Sequence, residues 1–455
     1  MPCVIIPLNI LLMRLELMSS TSYREFGLDG FSGRKKAGTD FKKLLFFVAA
    51  LVATLNGIEW SSYGVNVTPE RLLVAPLLLL SLFVLLVSPR LAIKKNSLLL
   101  LAWFAVGLAS SVFGPADIWS IKMAAVQAVA LSYYFITVVS APNLVSAFNS
   151  RFFIWLTFLW GPIFSIVYAS VYLSELPDYL LFLTQEGSGG TRLRGTITEA
   201  NLFGVFVIFF ILVVLAINQK KRIWWWLVMF GLNASLVFSF SRAPWGSLLL
   251  SLFFYYYFIS PKKIGSKELV KYLSVFLVLF FLSFFLAYLI FSTFGEYEII
   301  GRLHSIQTRL VMWGLAVESF LDRPIIGSGF YSFSAIFDYA PALVGSDTYR
   351  SAWISNLPLA LIHDTGVIGF LLFFGFVTVS VVRGWRAVRW VAIANVEGRF
   401  RARLGAALLC FVIVLLVSSL SIPAHSLAFF WVAFALLDLF SISVERLKAN
   451  EMEAG

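Results

Sequence analysis

The side chains best suited to chemistry in this sequence are arginines: Arg192, Arg194, Arg242, Arg302, Arg309, Arg323 and Arg350 all fall outside the clusters of basic residues that punctuate the chain. A guanidinium is a planar fork that stays charged and grips phosphate oxygens in pairs, so a set of them at a membrane surface suits a diphosphate carried on a lipid. Each also has a plainer use, reaching to headgroups or pairing with an acid such as Glu186, Glu199, Glu296 or Asp322. Arg242 stands apart from the others. The segment Ser239-Phe240-Ser241-Arg242-Ala243-Pro244-Trp245 joins two apolar runs with almost no loop, which sets the charge at or inside the interface, where an ionisable residue is a functional candidate. Pro244 suits the first turn of the helix that follows.

Bases are few, because the chain has 3 histidines, His304, His363 and His425. His363 lies eight residues after Ser355, just over two helical turns, which predicts a shared face. Asp364 could orient that imidazole or act as the base itself, although adjacent side chains on a helix diverge, which weighs against the pair. His304 neighbours Arg302 and Arg309, and His425 reads as an interface residue between two apolar runs. The 2 cysteines, Cys3 and Cys410, make no disulfide framework, CxxC or Cys/His cluster. No metal and no cofactor is expected. Gly327-Ser328-Gly329 has neither the strand nor the lysine of a phosphate-binding loop and reads as a tight turn after a helix ended by Pro324. The aromatics Phe330, Tyr331, Phe333, Phe337 and Tyr339 could stack on sugars, but packing is their commoner use in such a chain.

The elements that must position these residues are membrane spans. At 455 residues, 60% hydrophobic and 13% charged, with a mean hydropathy of +0.88, the chain is too apolar for a soluble fold, which runs at roughly 45–50% apolar and about 25% charged. Apolar stretches of spanning length occur near 44–58, 72–88, 97–113, 118–139, 152–173, 197–217, 223–240, 244–260, 272–294, 366–382, 404–421 and 425–442. This predicts an all-α transmembrane bundle of about twelve spans with both termini cytoplasmic. Lys42/Lys43, Arg90/Lys94/Lys95, Lys220/Lys221/Arg222, Lys262/Lys263/Lys267/Lys271 and the arginines from 383 to 403 then all face inward. The net charge of +11 is explained by those loops and not by nucleic acid.

The expected layout is a cytoplasmic tail over 1–43, with Met18 a candidate true start, spans one to nine over 44–294, a large outer loop over 295–365, spans ten to twelve over 366–442 and a cytoplasmic tail over 443–455. The outer loop contains two amphipathic helix candidates, Gln307–Phe320 and Trp353–His363, which suggests a folded cap against the membrane. No repeat pairs the two halves of the chain, which counts against transporters built on repeats.

Five segments in order resemble the O-antigen ligase and polymerase superfamily of bacterial membrane glycosyltransferases. They are Arg194-Gly195-Thr196 with Glu199-Ala200-Asn201, then Ser241-Arg242-Ala243, then Thr308-Arg309-Leu310-Val311-Met312-Trp313, then Arg323-Pro324-Ile325-Ile326-Gly327-Ser328-Gly329-Phe330, and last Ser355-Asn356-Leu357-Pro358-Leu359 running on to Asp364-Thr365-Gly366-Val367-Ile368-Gly369. The resemblance implies transfer of a glycan from a polyprenyl diphosphate carrier to an acceptor hydroxyl, without a metal, on the outer face of the cytoplasmic membrane and with inversion by one displacement. Arg242 and Arg309 would stabilise the departing diphosphate. Arg194, Arg192 and Arg302, with Asn201 and Asn356, would bind the donor and its glycan. The family carries a histidine where this chain has Ser355, and a glutamate where it has Asp364. Serine is a poor base unaided. Three explanations stay open: a polymerase branch that needs no histidine, another residue such as His363 or Asp364 in its role, or an inactive protein.

The acceptor distinguishes the enzymatic readings, being another lipid-linked glycan for an O-antigen or exopolysaccharide polymerase and lipid A core or protein for a ligase. Other polysaccharide assembly proteins would be partners alongside the lipid bilayer. A flippase or transporter is the competing class, yet the spans are almost free of charge apart from Lys122 and Asp438. A non-catalytic scaffold is the third class.

Overall fold

The computed structural model describes residues 33–55, 58, 60–62, 65–87, 96–115, 118–140, 148, 156–173, 183–185, 192–197, 199–217, 223–259, 274, 278, 285, 303–333, 354–394, 399–421 and 424–454. The chain divides into two units, Met1–Phe41 and Lys42–Gly455, and every contact described below lies within the second. The described residues are nearly all helical. In chain order the helices are α1 (Gly33–Val52), α2 (Pro69–Val87), α3 (Asn96–Phe113), α4 (Ile118–Ser140), α5 (Phe164–Leu173), α6 (Ala200–Ile217), α7 (Ile223–Phe238), α8 (Arg242–Ile259), α9 (Leu303–Asp322), α10 (Leu357–Ala394), α11 (Arg399–Ser418) and α12 (Ala428–Ala454). Among the described residues six stretches are long and apolar enough to cross a membrane, those of α3, α4, α6, α10, α11 and α12, and the helices at Leu156–Ala169, Ile223–Phe238 and Ala243–Ile259 are apolar but shorter. Eighteen residues, as in α6, rise about 27 Å, close to a bilayer's hydrocarbon thickness. The expected span at 272–294 lies outside the described residues except for three positions.

The all-α expectation needs one amendment. Two short antiparallel ladders interrupt it, β1 (Trp60–Ser62) with β2 (Val65–Val67), and β3 (Thr184–Gln185) with β4 (Arg192–Leu193). Backbone groups in connections have no helical partners and here satisfy one another across the chain.

Within the bundle α10 packs along α3, α12 along α4 and α10, and α11 along α6 and α8. The outward faces of α2 and α3 are apolar and exposed, with Leu79, Phe83, Leu86, Leu98 and Phe113 meeting what would be lipid. Small residues let α5 and α7 approach closely: Ser165 Oγ donates to the Gly231 carbonyl at 2.9 Å, and Ser235 Oγ to that of Gly161 at 3.0 Å. A π-helical turn over Leu159–Ile163 precedes α5, where Pro162 lacks the amide that would close a regular turn. The buried carboxylate of Asp438 on α12 accepts Asn96 Nδ2 at 3.1 Å and Tyr134 Oη at 2.7 Å, pinning α12 to α3 and α4.

Hydrogen bonds also gather the helix ends that carry the candidate site onto one face. Thr196 Oγ1, before α6, donates to the Thr54 carbonyl after α1 at 2.8 Å, and the Leu357 amide of α10 donates to the Ser419 carbonyl after α11. Phe330, between α9 and α10, donates its amide to Ser111 at the end of α3 at 3.0 Å.

The first amphipathic candidate, 307–320, lies within α9. Met312 and Ala316 form its buried face with Phe333, Ile354 and Ala360, while Leu310, Val317 and Leu321 are exposed. The second begins at Leu357 and does not stop at His363. It runs on as α10 through a bend at Gly366, whose φ of 63° and ψ of −172° break the helical ladder.

Candidate functional site

The predicted residues fall into two groups. The first forms where β4, the start of α6 and the α7–α8 turn meet. Arg192 is buried, its Nε donating to the Ser239 carbonyl at 2.9 Å and its Nη2 to Asn201 Oδ1 at 2.5 Å. Asn201 thus holds an arginine. The turn from Arg194 to Ile197 is tight, with the amides of Arg194 and Gly195 both reaching the Leu183 carbonyl. Gly195 has φ +57°, and a Cβ there would sit 2.7 Å from the Phe203 ring.

Glu199, the last residue before α6, feels both Arg192 and Arg309. Burial raises its carboxyl above the ordinary 4.5, while the two guanidiniums pull the other way. Arg309 of α9, itself half-buried, is thus near enough for its charge to be felt at Glu199. Arg242 opens α8 in the same turn as Ser239, and Pro244 packs on Gly204, where a Cβ would come 3.0 Å from its Cγ. The N-termini of α6 and α8 therefore both open beside these arginines, adding partial positive charge. An apolar cleft begins nearby, lined by Phe46, Trp160, Phe206, Phe209 and Phe429, with the hydroxyl-bearing Thr54 in its wall. The same Thr54 carries the Thr196 hydrogen bond.

The second group lies where α9, the following loop and the bend of α10 interlock. At Gly366 the ladder of α10 opens, and the loop after α9 replaces its missing partners. The Val367 and Ile368 amides donate to the carbonyls of Pro324 and Ile325, while the carbonyls of His363 and Asp364 accept the amides of Ser328 and Gly329. The Gly327-Ser328-Gly329 turn is thus a structural clasp. Gly327 (φ +77°) leaves no room for a Cβ, which would lie 2.5 Å from the Gly366 amide. Phe330 is fully buried against Trp103 and Phe104, and Phe333 against His363, so neither is placed to stack on a sugar. Phe337 and Tyr339 lie outside the described residues.

His363 and Asp364 do pair, contrary to the divergence expected of helical neighbours: His363 Nδ1 and Asp364 Oδ1 are 2.8 Å apart. The clasp explains it, because the Tyr331 amide donates to Asp364 Oδ2 at 2.9 Å and holds the carboxylate turned toward the ring. The other ring nitrogen, Nε2, lies 3.1 Å from Ser319 Oγ on α9. His363 is fully buried.

Ser355 does not share a helical face with His363, since α10 starts only at Leu357. Its Oγ is buried and has no hydrogen-bond partner among the described residues. Asn356 caps α10, its Oδ1 accepting the Leu359 amide at 3.0 Å while its Nδ2 reaches the Leu420 carbonyl. Arg302 and Arg350 lie outside the described residues, as do the side chains of Arg242 and His304. Arg323 donates to the Phe113 carbonyl at 3.1 Å.

His425 lies inside the packed bundle and not on its surface. It is buried, stacked on Tyr331 at 5.7 Å and close to Trp103, and burial lowers its pKa to about 3. The apolar stretches gave no hint of this, because the ring's neighbours come from distant segments. Glu199 and Ser319 are the residues that sequence reading left without a catalytic role. Spacing from Arg192 and Arg309 could have drawn attention to the first, and nothing local marks the second. Among the described residues no group of three or more His, Cys, Asp or Glu could hold a metal ion.

The fold is that of a multi-span helical membrane protein, and among its described residues Arg192 and Arg309 both act on Glu199 at the start of α6. Residues 226–374 match the family model of the O-antigen ligases, a stretch that runs from α7 into α10 and includes Arg242, Arg309, Ser355 and Asp364. The match supports the O-antigen ligase and polymerase superfamily for this chain and a function of that general type. No curated protein matches it.

Proposed function

We propose that the protein is an enzyme of the bacterial cytoplasmic membrane that transfers a glycan from a polyprenyl diphosphate carrier to an acceptor sugar hydroxyl, as a polymerase of O-antigen or exopolysaccharide repeats. In this reading the chain crosses the membrane about twelve times, both termini are cytoplasmic, and the site faces outward. The observation that carries it is Glu199, at the start of α6 next to the Arg192–Asn201 pair, within reach of the charges of both Arg192 and Arg309, beside the start of α8 and an apolar cleft. A lipid diphosphate matches that arrangement chemically, because its head needs fixed cations and its tail an apolar wall.

Arg309 and Arg242 would stabilise charge on the departing diphosphate, with Arg194 and Arg302 on the rest of the donor head. Arg192 would orient the group through Asn201. The acceptor oxygen attacks the anomeric carbon as the bond to the diphosphate oxygen breaks, and a single displacement inverts the anomer. Fixed arginines supply the charge stabilisation that a metal supplies elsewhere, so the reading requires none. The ligase alternative, with lipid A core or protein as acceptor, is favoured by the description of the matching family and disfavoured by Ser355 in place of the histidine.

The test is deletion of the gene in its host and complementation with wild type, Arg242→Ala and Arg309→Ala at matched membrane levels, with surface and carrier-linked glycans resolved by gel. Loss of the long ladder while single repeats are still transferred means polymerase. Long chains stranded on the carrier mean ligase. Full rescue by both arginine variants would overturn the site and leave transport or scaffolding.

A further inference from the structure

The contacts around His363 form a continuous chain of hydrogen bonds. The Tyr331 amide donates to Asp364 Oδ2, Asp364 Oδ1 faces His363 Nδ1 at 2.8 Å, and His363 Nε2 faces Ser319 Oγ at 3.1 Å. Three segments supply it, with Ser319 on α9, Tyr331 in the clasp, and His363 and Asp364 on α10 before the bend. With Asp364 ionised, the proton between it and the ring belongs to Nδ1, and Nε2 then accepts from the Ser319 hydroxyl. His363 is fully buried and Asp364 nearly so, whereas Ser319 is half-buried. The hydroxyl is therefore the end of the chain that an incoming molecule can reach.

We infer that Ser319 is a catalytic residue, the point at which the acceptor hydroxyl gives up its proton, with His363 as the base behind it and Asp364 as the group that orients His363; this rests on the glycan-transfer reading above. The position suits the task. Ser319 and Arg309 lie on one helix, ten residues and so about 15 Å apart along its axis and within about 80° around it. An arginine side chain, the phosphoryl group it holds, the anomeric carbon and the attacking oxygen follow one another along such a span. In the step itself, the acceptor oxygen bonds to the anomeric carbon and the electron pair of the breaking bond leaves on the diphosphate oxygen. The acceptor proton passes to Ser319 Oγ as the serine's own proton passes to His363 Nε2, and the imidazolium is balanced by Asp364. The imidazolium then gives its proton back through the same hydroxyl to water, which resets the site. The arrangement accounts for Ser355 standing where the resembled family has histidine, since the base then comes from His363 on α10, eight residues further on.

The experiment uses full-length protein in lipid nanodiscs and the polyprenyl-linked glycan extracted from a host lacking the gene. Ser319→Thr and Ser319→Val have the same shape and differ in the hydroxyl alone. Both are brought to equal, monodisperse levels, and initial rates are measured between pH 5 and 9. The proposal expects Ser319→Thr near the wild-type rate and Ser319→Val slower by about 10²-fold or more, the usual worth of a positioned base. It also expects the rising acid limb of the wild-type pH profile to be kept in Ser319→Thr and lost in both Ser319→Val and His363→Gln. Equal rates for Thr and Val, or a Val variant slowed with its pH profile intact, would overturn it. Arg309→Ala in the same assay separates the two claims. Glycan consumption that Arg309→Ala abolishes and the Ser319 pair leaves untouched refutes the role of Ser319 alone, whereas wild-type protein that consumes no lipid-linked glycan refutes the transfer reading and the relay with it.

Discussion

Arginines of one charge type do different work according to what surrounds them. Arg192 is buried and donates to a carbonyl and to an amide oxygen, so it acts as a clamp joining β4, α6 and the α7–α8 turn. Arg309 on α9 is half-buried and, in the reading proposed above, meets the donor diphosphate. Their alanine variants should separate cleanly. Arg192→Ala removes the donor from two partners, each such bond to a charged group contributing about 1.5–3 kcal/mol, and should lower the melting temperature in detergent by several degrees. Arg309→Ala should leave melting unchanged and abolish glycan transfer. Identical melting for the two variants would contradict the clamp.

At the scale of elements, the informative feature is that the bend of α10 is completed by a different segment. The loop after α9 takes the carbonyls and amides that Gly366 frees, and the fit is permitted because Gly327 lies against the backbone of Asp364 and Gly366 while Gly366 lies against that of Ile325 and Ile326. Gly366→Ala should be strongly destabilising: the left-handed backbone costs an alanine about 1–2 kcal/mol, and its Cβ would lie 2.2 Å from the Ile325 carbonyl oxygen. Gly314→Ala is the control. Gly314 sits within α9, and a Cβ added there would meet nothing within 4 Å, so the alanine should stabilise the protein by about 0.5–1 kcal/mol. Thermal denaturation of both variants checks the pair, and a harmless Gly366→Ala would mean that the clasp does not hold the bend.

For the molecule as a whole, His425 ties the clasp to the bundle. Its ring stacks on Tyr331, and its carbonyl accepts Gln127 Nε2 of α4 at 2.9 Å and Trp431 Nε1 of α12 at 2.6 Å. With its pKa lowered from 6.5 to about 3, the ring stays neutral when folded but takes a proton when unfolded. Its contribution to stability is therefore complete above about pH 6.5 and is lost as pH falls toward 3, at up to about 1.4 kcal/mol per unit. Melting temperatures of wild type should fall through that window, and His425→Phe should flatten the fall. An unchanged slope in the variant would assign the acid sensitivity elsewhere. The apolar spans, the helical build, the helix around 307–320 and the resemblance to the O-antigen ligases that residues 226–374 carry were all legible in residues taken in order, because run length and short motifs are local properties. The pairing of His363 with Asp364, the approach of Ser319, the buried setting of His425 and the coupling of Glu199 to Arg309 were not, because each joins segments that are distant in sequence or turned by a bend. Burial and hydrogen bonding there depend on which helices pack together, and that is settled only when the chain is folded.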